Sequence, residues 1–269
     1  MTAMTTDFKE ETMQPAKITK PNERFIKEYV CQDCNMTVTQ KEMEIPAGPR
    51  KGEWIIANFG CKCADIKLAK EQKNIRDDLK NRKMKRFFDH YSLINSSLET
   101  ATLENYEPTS NELAKAKQNI TNYIQEFDGK KNLLLHGSYG TGKSHLSVAI
   151  TKEIMKQGKE CLFLSLPKLL TKIQGTYSNK GVTEEELLEV IQRVDLLVLD
   201  DLGAEHNTDW AITKIFEILD DRSGKSTIYT TNLGSTELRK RFNERNFSRL
   251  MESTEIIVMN GRDYRRKEF

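Results

Sequence analysis

Apolar and polar positions alternate in blocks over the C-terminal part of the chain. Short apolar runs occupy residues 132–135, 161–166, 196–199, 227–231 and 256–259. Runs of this length bounded by polar segments predict buried strands. Apolar strands that alternate with helical segments are typical of a parallel sheet covered on both faces. We therefore predict an α/β fold with a five-stranded parallel sheet in this region.

Helix start and stop signals mark the segments around the predicted strands. They consist of capping residues, proline at a first turn and glycine after a last turn. The predicted helices cover 144–158, 167–175, 208–222, a segment that opens with the capping box Thr183-x-x-Glu186, and a segment from the capping box Thr109-Ser-Asn-Glu112 to Gly129.

The N-terminal part has a different composition. Residues 1–27 are polar and are expected to be flexible, whereas residues 28–65 hold four cysteines and the turn-rich stretch IPAGPRKGEW. Residues 64–107 lack both Gly and Pro, so they can be largely helical. The expected organisation is a flexible segment (1–27), a cysteine-bearing domain (28–65), a basic helical linker (66–100) and an α/β domain (101–269).

Charge is balanced over the whole chain but not along it. The 42 Lys and Arg against 40 Asp and Glu exclude a protein that coats DNA through its total charge. Residues 62–88 alone hold ten basic and four acidic side chains. This excess fits either a solvated connecting helix or a surface that contacts DNA or a partner protein, and the sequence leaves both open.

No segment predicts passage across a membrane. The first twenty residues contain no apolar run long enough for a signal peptide, and no later segment approaches the length of a membrane span. A soluble, cytoplasmic protein without membrane contact is expected. In that reducing compartment, the five cysteines are better interpreted as free thiols or metal ligands than as disulfides.

A glycine-rich segment provides the strongest chemical signal. Residues 137–144, GSYGTGKS, fit the pattern G-x-x-x-x-G-K-[ST] between a predicted strand and a predicted helix. Glycines let the backbone N–H groups curl inward, and the helix N-terminus adds positive potential. We expect Lys143 to reach the β- and γ-phosphates of ATP, and Ser144 to bind Mg²⁺. The predicted ATP-binding residues are Gly137, Ser138, Tyr139, Gly140, Thr141, Gly142, Lys143, Ser144 and His145.

Two acids and an amide are predicted to complete this site. In DLLVLDDLGAE, an apolar strand delivers Asp200 and Asp201 to its carboxyl end, where ligands gather in open α/β sheets. We assign Asp200 to Mg²⁺ and Asp201 to orientation of the attacking water. Asn232 follows the strand TIYTT, and it either holds that water, or senses the γ-phosphate, or is an ordinary turn residue.

Four cysteines form two close pairs. Cys31-x2-Cys34 and Cys61-x-Cys63 are separated by 26 residues. Four thiolates can complete a tetrahedral zinc shell, and such a closed shell is structural rather than catalytic. The C-x-C spacing of the second pair is less common than C-x2-C, so unliganded thiols remain the alternative. Cys161 lies inside a predicted strand and is expected to be a core residue.

These motifs, in this order, resemble an AAA+ ATPase of the DnaC/DnaI-type bacterial replicative helicase loader family. They are also similar to the IstB-type transposition helper ATPases. The resemblance covers about residues 100–269 and rests on the stretches ATLENYEPTS, GSYGTGKSHL, DLLVLDDLGAE, TIYTTNL, SRLMES and GRDYRR. Many unrelated ATPases share the P-loop, whereas the Asp-Asp-Leu-Gly sequence with late arginine motifs is much narrower.

The resemblance implies further site residues. It makes Asn232 the first sensor, Arg249 an arginine finger that enters a neighbouring subunit's site, and Arg265 the second sensor, and it places Tyr106 near the adenine. A finger supplied to a neighbour implies head-to-tail self-association of the ATP-bound form. Many AAA+ enzymes have Glu where this chain has Asp201, so we expect slow hydrolysis, with ATP serving as a timed assembly signal.

The resemblance also implies partners. The zinc-bearing N-terminal domain would bind a hexameric replicative DNA helicase, while the ATPase domain binds ATP and single-stranded DNA and controls deposition of the helicase. The segment 167–194 resembles a helical insertion associated with single-stranded DNA, although an ordinary crossover with a solvated basic face is an alternative. Its candidate DNA contacts are Lys168, Lys172, Tyr177 and Lys180. Two other functions stay open, namely a transposition helper ATPase and a nucleotide-gated adaptor with negligible hydrolysis.

Overall fold

The computed structural model describes residues 22–176, 183–206 and 208–264. The chain divides after Arg76 into two compact units. A three-stranded sheet belongs to the first unit, and a five-stranded sheet belongs to the second.

The first unit contains three antiparallel strands in the order β1-β2-β3. Their bounds are Glu23–Val30 (β1), Thr37–Glu44 (β2) and Trp54–Phe59 (β3). The predicted flexible segment 1–27 is therefore too long, because residues 23–27 belong to β1. Residues 1–21 of that segment lie outside the described residues.

Few apolar side chains are buried in this small sheet. Val38 is 2% exposed, whereas Phe25 is 65% and Ile56 is 63% exposed. Burial of apolar surface stabilises a small sheet in proportion to the area removed from water. A sheet with so little buried apolar surface needs another source of stability, and four cysteines lie at its end.

The second unit is built on the predicted parallel sheet. Its strands are Asn132–His136 (β4), Cys161–Ser165 (β5), Leu196–Asp200 (β6), Thr227–Thr231 (β7) and Thr254–Val258 (β8). All pairs are parallel, and the spatial order is β5-β6-β7-β4-β8. The predicted fold class is confirmed, and each strand lies within two residues of its predicted position.

Helices cover both faces of this sheet. Successive strand residues pack alternately into two buried apolar clusters, as Leu133 and Leu134 do. The helices are Asn111–Gln125 (α2), Lys143–Lys156 (α3), Leu166–Thr176 (α4), Glu184–Arg193 (α5), Asp209–Asp221 (α6) and Ser235–Met251 (α7). Among the described residues, no helix combines the length and the apolar character needed to cross a membrane.

The helix after β3, α1, spans Cys63–Tyr91, so the predicted helical stretch 64–107 is too long. The cause lies at the edge of the sheet. The N–H group of Leu93 donates to the carbonyl of Phe163 at 2.8 Å, and the N–H group of Phe163 donates to the hydroxyl of Ser92 at 3.1 Å. The residues after α1 thus lie beside β5 at the edge of the sheet. Their hydrogen bonds to β5 replace the hydrogen bonds that would have continued the helix.

Side-chain capping explains where three of the other helices begin. Thr183 and Thr208 cap α5 and α6 through their side chains, as their positions predicted. The cap of α2 was wrongly placed at Thr109, because Ser110 has the extended backbone of a cap and accepts the N–H of Leu113. Glu112 then lies at the second helical position, so the predicted capping box does not form.

Candidate functional site

The glycine-rich loop connects β4 to α3 at the carboxyl end of the sheet. Gly142 precedes the first turn of α3 in a left-handed conformation, with φ of 88°. Lys143 is only 7% exposed, and its Nζ donates to the carbonyls of Gly137 at 2.9 Å and Ser138 at 2.6 Å. The lysine charge therefore lies inside the loop, next to the N-terminus of α3, where an anion is favoured.

A tyrosine supports the loop from behind. The hydroxyl of Tyr106 donates to the carbonyl of Thr141 at 2.9 Å. A Cβ atom on Gly142 would lie 2.5 Å from the Tyr106 ring, so only glycine fits at this position. Burial raises the pKa of Tyr106 to about 12, so the hydroxyl remains a neutral donor. Tyr106 lines the same cleft as the loop, whereas its expected contact with adenine remains a prediction.

A distant segment of the chain also supports the loop. The side chain of Asn260 accepts the N–H of Ser138 at 3.3 Å, and the N–H of Tyr264 donates to the carbonyl of Gly140 at 3.0 Å. The carbonyl of Met259 lies against Gly137 so closely that no side chain could be placed there. Residues 259–264 therefore form a buttress for the loop, and we refer to them as the C-terminal buttress.

The two predicted acids lie beside the loop. β6 ends at Asp200, which is 3% exposed and accepts hydrogen bonds from the hydroxyls of Thr230, at 2.6 Å, and Ser144. Burial, together with the neighbouring charge of Asp201, raises the pKa of Asp200 to about 6, although Thr230, Ser144 and Lys143 act in the opposite direction. A buried carboxylate that lies beside a second acid and a hydroxyl is suited to a cation.

These oxygen donors fit Mg²⁺. The ion prefers carboxylate, hydroxyl and phosphate oxygens, and Ser144 and Asp200 offer the first two at one point of the cleft. The sequence assigned the same two residues to Mg²⁺. Asp201 and Asn232 line the same cleft, so the structure brings the loop, both acids and the amide together, and the roles assigned to them remain predictions.

The cleft itself has a volume of about 640 Å³. That volume is within the range of cofactor sites, about 300–1,000 Å³. One side is formed by the phosphate loop and another by the turn after β6. Other residues that line it are Asn95, Ser97, Leu98, Asn105, Tyr106, Glu107, Thr109, Leu113, Asn232, Leu233, Arg262 and Tyr264.

The predicted arginine finger lies elsewhere. Arg249 is in the last turn of α7, where it forms an ion pair with Asp220 and its guanidinium lies 5.7 Å from the centre of the Phe216 ring. It does not line the cleft of its own chain, so the assigned role toward a neighbouring subunit remains a prediction. Arg265, the predicted second sensor, lies outside the described residues.

Sequence reasoning missed several residues that shape the cleft. Thr230 bonds Asp200, and Arg262 lines the cleft. Glu205, only 7% exposed, accepts the N–H of Gly203 at 2.8 Å and pairs with Arg241 of α7 at 2.9 Å. The first contact results from the parallel pairing of β6 with β7, which places Thr230 beside Asp200.

Four cysteines meet at one end of the small sheet. The Sγ atoms of Cys31, Cys34, Cys61 and Cys63 all lie within 4.8 Å of one another. Sulfurs on a tetrahedral zinc ion with bonds of 2.3 Å would be about 3.8 Å apart, so the arrangement fits zinc. Backbone N–H donation at Asp33, the largest contribution, lowers the pKa of Cys31 to about 7, whereas contact with the neighbouring thiols, Cys61 first, raises the pKa of Cys63 to about 12. Thiolates packed this closely repel one another, and a bound cation would relieve that repulsion.

The remaining cysteine and the candidate DNA contacts have other surroundings. Cys161 is 1% exposed and packs in the apolar core of the second unit, as expected. The Nζ of Lys168 donates to the Oδ1 of Asn95 at 2.5 Å, and Lys172 is half-buried on the same helix. Tyr177 and Lys180 lie outside the described residues.

Comparisons with known proteins agree with this geometry. Residues 67–269 match the family described as IstB-like ATP binding protein. The replicative helicase loader DnaC of Escherichia coli (strain K12) is 34% identical over 209 residues, which are 73% of this chain and 83% of that protein.

Solved structures give the same relationship. A crystal structure of the DnaC helicase loader has a TM-score of 0.56 and 30% identity, and the similarity covers 61% of this chain and 99% of that one. For a crystal structure of DnaI the values are 0.55 and 26%, over 65% and 95% of the two chains. The chain therefore belongs to the family of IstB-like ATP-binding proteins and is a homologue of the replicative helicase loader DnaC.

Proposed function

We propose that this protein is an ATP-dependent loader of the replicative DNA helicase in the cytoplasm. The observation that carries the proposal is the similarity to DnaC over 83% of that loader's length. The cleft supports it, because a P-loop lysine, two acids and an asparagine line one cavity large enough for a nucleotide.

Each of these residues of the cleft has a separate role in ATP hydrolysis. Lys143 leaves the carbonyls of its own loop and binds the β- and γ-phosphates, while Ser144 and Asp200 are the residues that would hold Mg²⁺. When bound, Mg²⁺ would act as a Lewis acid that neutralises phosphate charge. Asp201 orients the attacking water and Asn232 contacts the γ-phosphate. Hydrolysis is slow, because the Asp201 side chain is one methylene shorter than glutamate, and it is stimulated by DNA or by the partner.

Arg249 acts in the site of a neighbouring subunit. Its guanidinium is half-exposed and is held by Asp220 and by the ring of Phe216. Release from Asp220 frees it to approach a γ-phosphate that another chain has bound. ATP-bound chains therefore associate head to tail, with each site completed by its neighbour.

The small sheet of the first unit binds the helicase. Its strand register places Phe25, Ile55 and Phe59 on one face, and their side chains are 65%, 40% and 42% exposed. An exposed apolar surface of this kind is typical of a protein interface. The cysteine cluster, with zinc bound, holds the ends of the three strands together.

Single-stranded DNA binds to the second unit, with Lys168 and Lys172 of α4 as phosphate contacts.

The decisive experiment is capture of the hexameric replicative helicase of the same organism by the immobilised full-length protein. We expect capture with ATP present and weaker capture by a Phe59→Ser variant. Ile56→Ser is the matched control, because Ile56 is 63% exposed on the opposite face of the sheet and should not affect capture. Absence of helicase capture under all nucleotide conditions would contradict the proposal.

The family match favours one second candidate, a transposition helper ATPase of the IstB type. Such a protein would assemble on duplex DNA beside a transposase, without the helicase. Binding to duplex DNA with capture of a transposase in place of the helicase would support this candidate. A nucleotide-gated adaptor is the remaining alternative, and phosphate release that stays at background with DNA and helicase present would favour it.

A further inference from the structure

One threonine contacts both acids of the cleft. Thr230 is the fourth residue of β7 and is 1% exposed. Its hydroxyl donates to the Oδ1 of Asp200 at 2.6 Å and accepts the backbone N–H of Asp201 at 2.9 Å. Its main-chain carbonyl also accepts the N–H of Leu202 at 2.8 Å. The single residue therefore bonds three consecutive positions of the turn that carries the acids.

The conformation of this turn requires such support. Asp201 has a φ of 61°, a left-handed conformation that non-glycine residues rarely adopt. The hydrogen bond from its N–H to Thr230 helps to hold it there. The hydroxyl of Thr231 donates to the carbonyl of Leu202 at 2.7 Å, so the turn is also bonded to the end of the strand that precedes Asn232.

The first acid also depends on this contact. Asp200 is buried beside the charge of Asp201, so its carboxylate needs hydrogen-bond donors. Thr230 supplies a short one, and Ser144 supplies another from the phosphate loop. The carboxyl group is thereby held in one orientation between the two elements of the site.

We propose that Thr230 is a positioning residue for ATP hydrolysis, whose hydroxyl orients the Asp200 carboxyl toward the metal position and fixes the Asp201 backbone. The inference rests on the proposed function, since it concerns the same cleft. A structural role alone would make the hydroxyl matter for stability but not for Mg²⁺ or turnover.

The test compares Thr230→Val with the parent and with Thr230→Ser. Removing a hydrogen bond to a charged group reduces an equilibrium or a rate by about 10- to 100-fold. We expect the valine variant to lose ATP hydrolysis by that factor and to need about tenfold more Mg²⁺ for binding of a fluorescent ATP analogue. Binding of the analogue in EDTA should remain within about twofold of the parent, because the phosphate loop is intact.

The serine variant should retain most of the hydrolysis and the parent's Mg²⁺ requirement. If the valine variant does not fold, Thr230→Ser and Thr230→Ala decide the question, because these two differ from each other by the hydroxyl oxygen alone. Thr227→Val is the matched control, since Thr227 is equally buried on β7 but bonds Arg222 at the other end of the strand.

Two results would overturn the inference. One is a hydroxyl-free variant with the parent's Mg²⁺ requirement and hydrolysis. The other is a loss of the same size in Thr227→Val, which would indicate a general effect of removing a buried hydroxyl. Failure of the proposed function is distinct, because the parent would then capture no helicase, whereas its ATP hydrolysis and the Mg²⁺ dependence of analogue binding would still test Thr230.

Discussion

Replacing Asp200 with Asn should stabilise the nucleotide-free protein while it removes Mg²⁺-dependent binding. Burial, with the charge of Asp201, raises the pKa of Asp200 from its ordinary 3.8 to about 6. A group whose pKa is raised by folding stabilises the fold below its unfolded pKa, and that contribution is lost as pH rises through the folded value. Between pH 4 and pH 7 the ionised carboxyl therefore lowers the free energy of unfolding.

The size of the effect follows from the shift. A rise of about two pKa units corresponds to about 3 kcal/mol at pH 7.5, which is an upper limit for the gain. Asparagine keeps an oxygen that can accept the Thr230 hydroxyl, so the substitution preserves that hydrogen bond. We expect a net gain of about 1–3 kcal/mol, or a melting temperature several degrees higher for a chain of this size.

The assay is thermal denaturation of the parent and the Asp200→Asn variant without nucleotide or Mg²⁺, at pH 7.5 and at pH 4. The variant should melt higher at pH 7.5, and the difference should disappear at pH 4, where the parent carboxyl is protonated. Asp128→Asn is a control that should lower the melting temperature at pH 7.5. The N–H groups of Lys130 and Lys131 lower the pKa of Asp128, so its ionised form stabilises the fold. A variant that melts at or below the parent at pH 7.5 would refute the reasoning.

Three further substitutions test the other parts of the molecule. Lys143→Ala should weaken ATP binding by about 10- to 100-fold in titration calorimetry, since a charged hydrogen-bond donor to the phosphates is lost; unchanged affinity would contradict the P-loop assignment. Arg249→Ala should bind ATP normally but lose hydrolysis by up to about 10³-fold and lose ATP-dependent assembly in light scattering. Arg245→Ala is its control, because Arg245 lies over the same Phe216 ring, and equal activity of the two variants would remove the finger role. Cys34→Ser should abolish binding of one zinc per chain and destabilise the first unit to proteolysis, whereas Cys161→Ala should keep its zinc by elemental analysis.

Much of the fold could be predicted because its signals are local. Each buried strand is a short apolar run, and the phosphate loop is a contiguous motif between a strand and a helix. Asp200 was predictable for the same reason, since an apolar strand leads directly to it. The helix boundary after Tyr91 was not, because the edge of β5 provides the competing hydrogen bonds from 71 residues away.

Contacts between elements explain the other differences. Thr230 acquires its role only from the pairing of β6 with β7, and the chain order of the strands does not give that neighbourhood. The pair Glu205–Arg241 joins a loop to a helix 36 residues later, and no spacing rule connects them. At α2, two adjacent hydroxyl residues could each serve as the cap, and the backbone conformation selects Ser110.

The C-terminal buttress has a consequence for the order in which the protein becomes competent. The side chain of Asn260 accepts the N–H of Ser138, and Asn260 lies 122 residues later in the chain. The ribosome must therefore add all of those residues before the loop is supported. A nascent chain that already displays the whole glycine-rich motif still lacks the surface against which Gly137 and Gly140 rest. We expect such a chain to bind nucleotide poorly until residues 259–264 have been synthesised and have packed against the loop.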